Sequence, residues 1–102
     1  GYGIGLGGNS VTVKNSIVTG NTVAGFDVDG TNNIVDGNYI RQNGMGVRVG
    51  GSGNSVVRNL VIQTALTDYD NSGANNHIGP DATIGAGTVS SADSYSNIRF
   101  DP

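Results

Sequence analysis

Cysteine, tryptophan and glutamate are absent from this chain, and leucine and methionine are scarce. Without cysteine there is no disulfide framework, so a small stapled scaffold is excluded. The redox compartment stays open, because cysteine-free chains are ordinary both at the bacterial surface and in the cytosol. The shortage of leucine, methionine and glutamate removes the residues that usually build and solubilise helices. Charge is thin as well: 13% of residues are charged, the formal net charge is -3, and the five basic residues, Lys14, Arg41, Arg48, Arg58 and Arg99, are spread along the chain. A nucleic-acid groove needs such residues gathered on one face, so that class of partner is excluded. No apolar run reaches membrane-spanning length, and no charged-then-apolar leader stands at Gly1. Because Gly1 falls inside a repeat, any signal peptide is expected upstream of it.

What is present points the other way. The 102 residues include 18 glycines and 13 asparagines, and the 35% apolar content is mostly valine and isoleucine in short runs. β-Branched residues separated by Gly and Asn predict many short strands joined by tight turns. Self-similarity then organises them. Gly3-Ile4-Gly5-Leu6-Gly7-Gly8, Gly25-Phe26-Asp27-Val28-Asp29-Gly30 and Gly46-Val47-Arg48-Val49-Gly50-Gly51 align with starts 22 and 21 residues apart. Each is followed by a second block, Ser10 to Ile17, Asn33 to Ile40 and Asn54 to Val61, and a degraded fourth copy runs through Asp68-Tyr69-Asp70.

Repeats this short cannot close a sandwich alone, but they bury a face by stacking. If each repeat is one turn of a solenoid, equivalent strands lie about 4.8 Å apart. Ile4/Leu6, Phe26/Val28 and Val47/Val49 then point inward, while Gly5, Asp27 and Arg48 face solvent. In the second block Val11/Val13, Ile34 and Val56 are expected inside, with a third short strand around Ile17, Ile40 and Val61. Asn15, Asn38 and Asn59 recur at one place in the blocks and are expected to form a structural ladder. An Asn at a turn takes left-handed geometry cheaply and bonds its amide to the coils above and below.

On these residues the chain resembles the right-handed parallel β-helix repeat family, the pectin-lyase-like superfamily of extracellular proteins. The resemblance rests on the G-[IFV]-x-[LV]-x-G strand, the N/S-x-V block and the asparagine column, over residues 3 to about 79. It implies an all-β right-handed parallel β-helix, a single-stranded β-solenoid of about four coils of 21–23 residues plus a C-terminal cap. Coils are expected over 1–79 and a capping strand and tail over 80–102, with Phe100 packing on the last coil. Ile78 to Val89 also reads as two hexapeptides of a left-handed β-helix, but two do not complete a three-sided coil and the motif does not recur upstream.

The column of chemical interest is the outward one on the first strand, where Gly5, Asp27, Arg48 and Asp70 are expected on consecutive coils with Asp29 alongside. In the enzymes that the chain resembles, a groove there holds a sugar chain. The resemblance therefore makes Asp27, Asp29, Arg48 and Asp70 candidate substrate-binding residues and Asp27, Arg48 and Asp70 candidate catalytic ones, an Asp binding Ca²⁺ or serving as acid and an Arg neutralising a uronate or taking its C5 proton. The competing reading is a ladder in which Arg48 pairs with Asp27 below and Asp70 above. The ladder is preferred, since no Lys, Glu, Tyr or His joins the column and the Asp-Pro-His signature of alginate epimerases is missing. Other signals reduce to structure: the glycine pattern of Gly3 to Gly8 has no following helix, Gly50 to Val56 has Ser55 where a calcium nonapeptide needs Asp, and His77 reads as a turn residue. No metal site or other cofactor is expected.

The expected function is a structural or polysaccharide-contacting terminal segment of a secreted or surface β-helix protein, without complete catalytic machinery. The alternatives are the C-terminal part of a polysaccharide lyase, uronate epimerase or glycoside hydrolase, and a phage tailspike or adhesin segment. Expected partners are polysaccharide, upstream coils of the same protein, and other copies through the open N-terminal edge, with no nucleic acid and no membrane span.

Overall fold

The computed structural model describes residues 1–84 and 95–100. Its strands are β1 (Tyr2–Leu6), β2 (Thr12–Lys14), β3 (Ile17–Thr19), β4 (Ala24–Val28), β5 (Ile34–Asp36), β6 (Tyr39–Arg41), β7 (Met45–Val49), β8 (Ser55–Val57), β9 (Leu60–Ile62), β10 (Tyr69–Asn71), β11 (His77–Ile78), β12 (Asp81–Ile84) and β13 (Asn97–Phe100). They form three parallel sheets: β1-β4-β7-β10, β2-β5-β8-β11 and β3-β6-β9-β13-β12. Each turn of the chain contributes one strand to each sheet, so the molecule is a parallel β-solenoid of about four coils. The registers are vertical: Ile4 pairs with Phe26, Phe26 with Val47 and Val47 with Tyr69. Among the described residues no helix is long and apolar enough to cross a membrane.

A core one column wide per strand position runs up the stack. Leu6, Phe26, Val28, Val47 and Val49 come from the first sheet, Val35 and Val56 from the second, and Val18, Ile40 and Val61 from the third. In the three-residue strands of the second and third sheets only the middle side chain points in. Val35 therefore takes the inner place expected of Ile34, which is 39% exposed, and in the third sheet Val18 is buried while Ile17 is 73% exposed. Val11 precedes β2 and is likewise exposed.

The corners explain this phase. Among the described residues ten backbone positions have positive φ, at Ser10, Asn15, Gly20, Asn32, Gly37, Gln42, Gly53, Arg58, Gln63 and Asn75, and each immediately precedes a corner residue; the corner side chains of Asn33, Asn38, Asn43, Asn54 and Asn59 are buried, whereas Val11 is exposed. Left-handed residue, inward corner residue, then a strand that alternates out, in, out: this five-residue unit gives the spacing Asn33, Asn38, Asn43 in one coil and Asn54, Asn59 in the next. A single left-handed residue turns the chain sharply, and Gly or Asn meets that conformation at least cost.

Beyond Gly79 the winding changes. Continuing the pairing of His77 with Ser55 and Ile78 with Val56 puts Pro80 level with Arg58, at a corner that needs positive φ. Proline is locked near −65°, so the regular corner cannot form there. β12 instead lies one layer further out, and β13 enters between it and β9, pairing Ile98 with Leu60 and Phe100 with Ile62. Gly85 to Val89 of the hexapeptide-like stretch lie outside the described residues.

Candidate functional site

Three asparagine ladders hold the corners. Each inward Asn accepts a backbone N–H from the preceding coil at Oδ1 and donates Nδ2 to a carbonyl of that coil. In the first ladder, Asn33 N–H donates to Asn54 Oδ1 at 2.8 Å and Asn54 N–H to Asn76 Oδ1 at 2.9 Å. In the second, Asn38 N–H donates to Asn59 Oδ1 at 2.9 Å and Asn59 N–H to Asn97 Oδ1 at 3.1 Å. In the third, Asn21 N–H donates to Asn43 Oδ1 at 3.0 Å. The Nδ2 groups of Asn38, Asn59 and Asn97 reach the carbonyls of Val13, Val35 and Val56 at 3.1, 3.0 and 2.9 Å.

Asn15 is not a rung of this stack. It is the exposed left-handed residue, φ 53°, one place before the rung position, and the residue over Asn38 is Ser16, whose N–H donates to Asn38 Oδ1 at 3.0 Å. Left-handed geometry and inward amide therefore belong to adjacent residues, because a left-handed side chain is thrown outward at the turn. Asn33, Asn43, Asn54, Asn76 and Asn97 are the rungs that the repeat alignment did not single out, and the five-residue spacing is the signal for the first three. Asn97 stands 38 residues from Asn59 and carries no period.

The outward column of the first sheet is assembled in register: Gly5 pairs with Asp27, Asp27 with Arg48 and Arg48 with Asp70. Arg48 Nε donates to Asp27 Oδ1 at 3.1 Å and Nη2 to Asp27 Oδ2 at 3.4 Å. The same Nη2 donates to the Tyr2 hydroxyl at 2.9 Å, and the guanidinium carbon lies 5.1 Å from the Tyr2 ring centre. Asp27 is left only 8% exposed beneath this lid. Asp70 is half-buried one strand further on, and among the described residues no ion pair joins it to Arg48. The contacts of Arg48 thus run down the column to Asp27 and Tyr2. Its bond to Asp27 raises the guanidinium pKa further.

Asp29 completes the group. The charge of Asp27 raises its carboxyl above the ordinary aspartate value, with burial and a hydrogen bond that the protonated Asp29 carboxyl donates to Asp27 acting in that direction and Arg48 opposing. Gly50 makes room for it, since a Cβ there would lie 2.7 Å from Asp29 Oδ1. Two neighbouring carboxyls with one raised pKa, beside a fixed cation, can share a proton or accept hydrogen bonds from hydroxyl groups. Among the described residues no three His, Asp or Glu side chains are placed to hold a metal ion.

His77 and two tyrosines lie elsewhere on the coils. His77 is the first residue of β11, exposed and paired with Ser55, so it stands on a strand rather than in a turn. Tyr69 packs against the core, its hydroxyl 3.4 Å from the Asn59 carbonyl oxygen. Tyr39 faces outward from β6, half-buried between Ile17 and Leu60 of the adjacent strands.

A family model described as a right handed beta helix region matches residues 1–99. No curated protein and no solved structure matches the chain. The chain belongs to the right-handed β-helix family, and the hand of the coils is the one favoured for parallel crossovers of L-residues.

Proposed function

We propose that this right-handed β-helix is a structural segment of a secreted or cell-surface protein, that its first sheet touches polysaccharide, and that it carries no complete catalytic apparatus. The observation behind this reading is the engagement of the outward charges with one another. Asp27 is covered by Arg48, and Arg48 is held by Tyr2, so the groups a lyase or hydrolase would use are tied into the wall. A chain of hydroxylated rings can lie against such a surface without its bonds being broken.

Incubation with pectate, alginate and polygalacturonate, read by unsaturated ends and new reducing ends, tests it. No product is expected. Turnover that Asp27→Asn abolishes at an unchanged melting temperature would establish the enzyme reading instead.

One feature favours that second reading, the end of a carbohydrate-active enzyme. The raised pKa of Asp29 beside Asp27 is the arrangement from which a proton donor and an ionised partner are made. If it operates, activity falls as pH rises through the Asp29 value.

A further inference from the structure

We propose that the outer face of the second sheet carries a binding site for a small ring-bearing carboxylate, seated against Arg58 and Tyr95. It lies on a different sheet from the Asp27–Arg48 column and does not depend on the reading given to that column. A cleft of ≈ 290 Å³ opens here, lined by Ile34, Asp36, Ser55, Val57, Arg58, His77 and Tyr95. That volume falls at the small end of ligand sites and suits one ring with its substituents.

The parallel register builds the cleft. Ile34, Ser55 and His77 form one outward column and Asp36 and Val57 the next. Arg58 occupies the corner beside them at φ 55°, a left-handed place filled by Asn15 and Gly37 in the earlier coils. Gln42 and Gln63 hold the same geometry at other corners, so the left-handed φ belongs to the repeat. What the conformation achieves is aim. Nε donates to Asp36 Oδ1 at 2.8 Å and Nη2 to Oδ2 at 2.5 Å, while the guanidinium carbon lies 5.4 Å from the Tyr95 ring centre.

The chemistry follows from what is left over. Asp36 engages Nε and one N–H of Nη2, so the Nη1–Nη2 edge of the fork is outside that pair, on a side chain 50% exposed. A planar edge with parallel N–H donors fits a carboxylate. Lys14, level with Asp36, adds a second cation, and the two cations around one carboxylate leave a local excess of positive charge. Hydrogen bonding from Arg58 holds the Asp36 carboxyl below its ordinary value, as the pairing requires. Ile34 and Val57 supply an apolar floor and Tyr95, 51% exposed, a ring face for stacking. The Ser55 hydroxyl and the His77 imidazole stand on the far rim, where ring hydroxyls would meet them.

The test titrates the isotope-labelled full chain with D-glucuronate, benzoate and D-glucose, following backbone amide shifts. Both acids are expected to move the signals of residues 34, 55, 58 and 77, and glucose is not. Tighter binding of glucuronate identifies a sugar acid as the source, and tighter binding of benzoate an aromatic acid. Arg58→Asn keeps a residue that this corner already accepts at Asn15, and should weaken the acids about tenfold or more. Asp36→Asn/Arg58→Asn, which leaves no unpaired carboxylate, should do the same, whereas Arg41→Gln on the third sheet should change nothing. Glucose binding as tightly as glucuronate, acid binding that survives Arg58→Asn, or no response from the folded wild-type chain would overturn the site.

Discussion

At the scale of the residue, two neighbours share the work of each corner. The first takes positive φ and turns the chain, and the second turns its amide into the stack. Asn38 is buried between Ser16 and Asn59, and replacing it with leucine strands the Ser16 N–H and the Val13 carbonyl at once, while Asn59 Oδ1 keeps the backbone N–H of residue 38. Groups left unsatisfied in a buried place cost about 1–3 kcal/mol each, so Asn38→Leu should destabilise by on the order of 3 kcal/mol or more. Asn15→Gly, at the exposed left-handed position, should change stability by only about 0.5 kcal/mol in either direction. Urea denaturation of the two variants checks the contrast, and equal midpoints would contradict it.

A second residue-scale consequence concerns acid. Asp36 has its pKa lowered, chiefly by hydrogen bonds from Arg58, so its contribution is complete above the ordinary aspartate value and is lost as pH falls through the lowered one. Asp29 is raised, so its contribution runs oppositely, present at low pH and lost as pH rises through its folded value. Melting temperature measured from about pH 2 to pH 6 should fall on the acid side less steeply in Asp36→Asn than in the wild type.

At the scale of the element, a three-residue strand has one inward side chain, and its phase decides which. The 22-residue period and the first-sheet orientation were legible because Phe26-Asp27-Val28 and Val47-Arg48-Val49 alternate apolar and polar residues. Ile17-Val18 and Ile34-Val35 do not alternate. Two adjacent β-branched residues suit either phase, and hydrophobicity alone favours the larger, which is the wrong one. The five-residue spacing of Asn33, Asn38 and Asn43 carries the phase instead. The outward charge column was legible from the same alternation, but the Tyr2 contact was not, since it joins residues 46 apart on non-adjacent strands. Asn97 was hidden because Pro80 breaks the period. Ile40→Ala, inside β6, should cost about 2–5 kcal/mol, and Ile17→Ala, outside β3, within about 0.5 kcal/mol. Thermal unfolding of the pair checks the phase.

At the scale of the whole molecule, each coil packs chiefly on its neighbours, although Arg48 reaches Tyr2 two coils away, so stability is close to a sum of coil-to-coil interfaces rather than the property of one globular core. The ladders give those interfaces a direction, every Asn serving the coil before it. At the first coil two of the three corner places are Val11 and Ser16, which lack that amide, while Asn21 keeps it. Both rows of outward chemistry, the Asp27–Arg48 column and the Arg58 cleft, exist only because consecutive coils put residues about one period apart side by side. Vertical register is thus the premise of the fold and of both sites.

Disulfide trapping measures that register most directly, since the chain has no cysteine of its own to interfere. In Ile34→Cys/Ser55→Cys the two residues are register partners on adjacent parallel strands and both face out. Neighbouring strands lie about 4.8 Å apart, within the span a disulfide bridges. Rapid, complete oxidation is expected for this pair and none for Ile34→Cys/Val56→Cys, where the second thiol points into the core. Cross-linking of the second pair in preference to the first would contradict the stacking on which everything else rests.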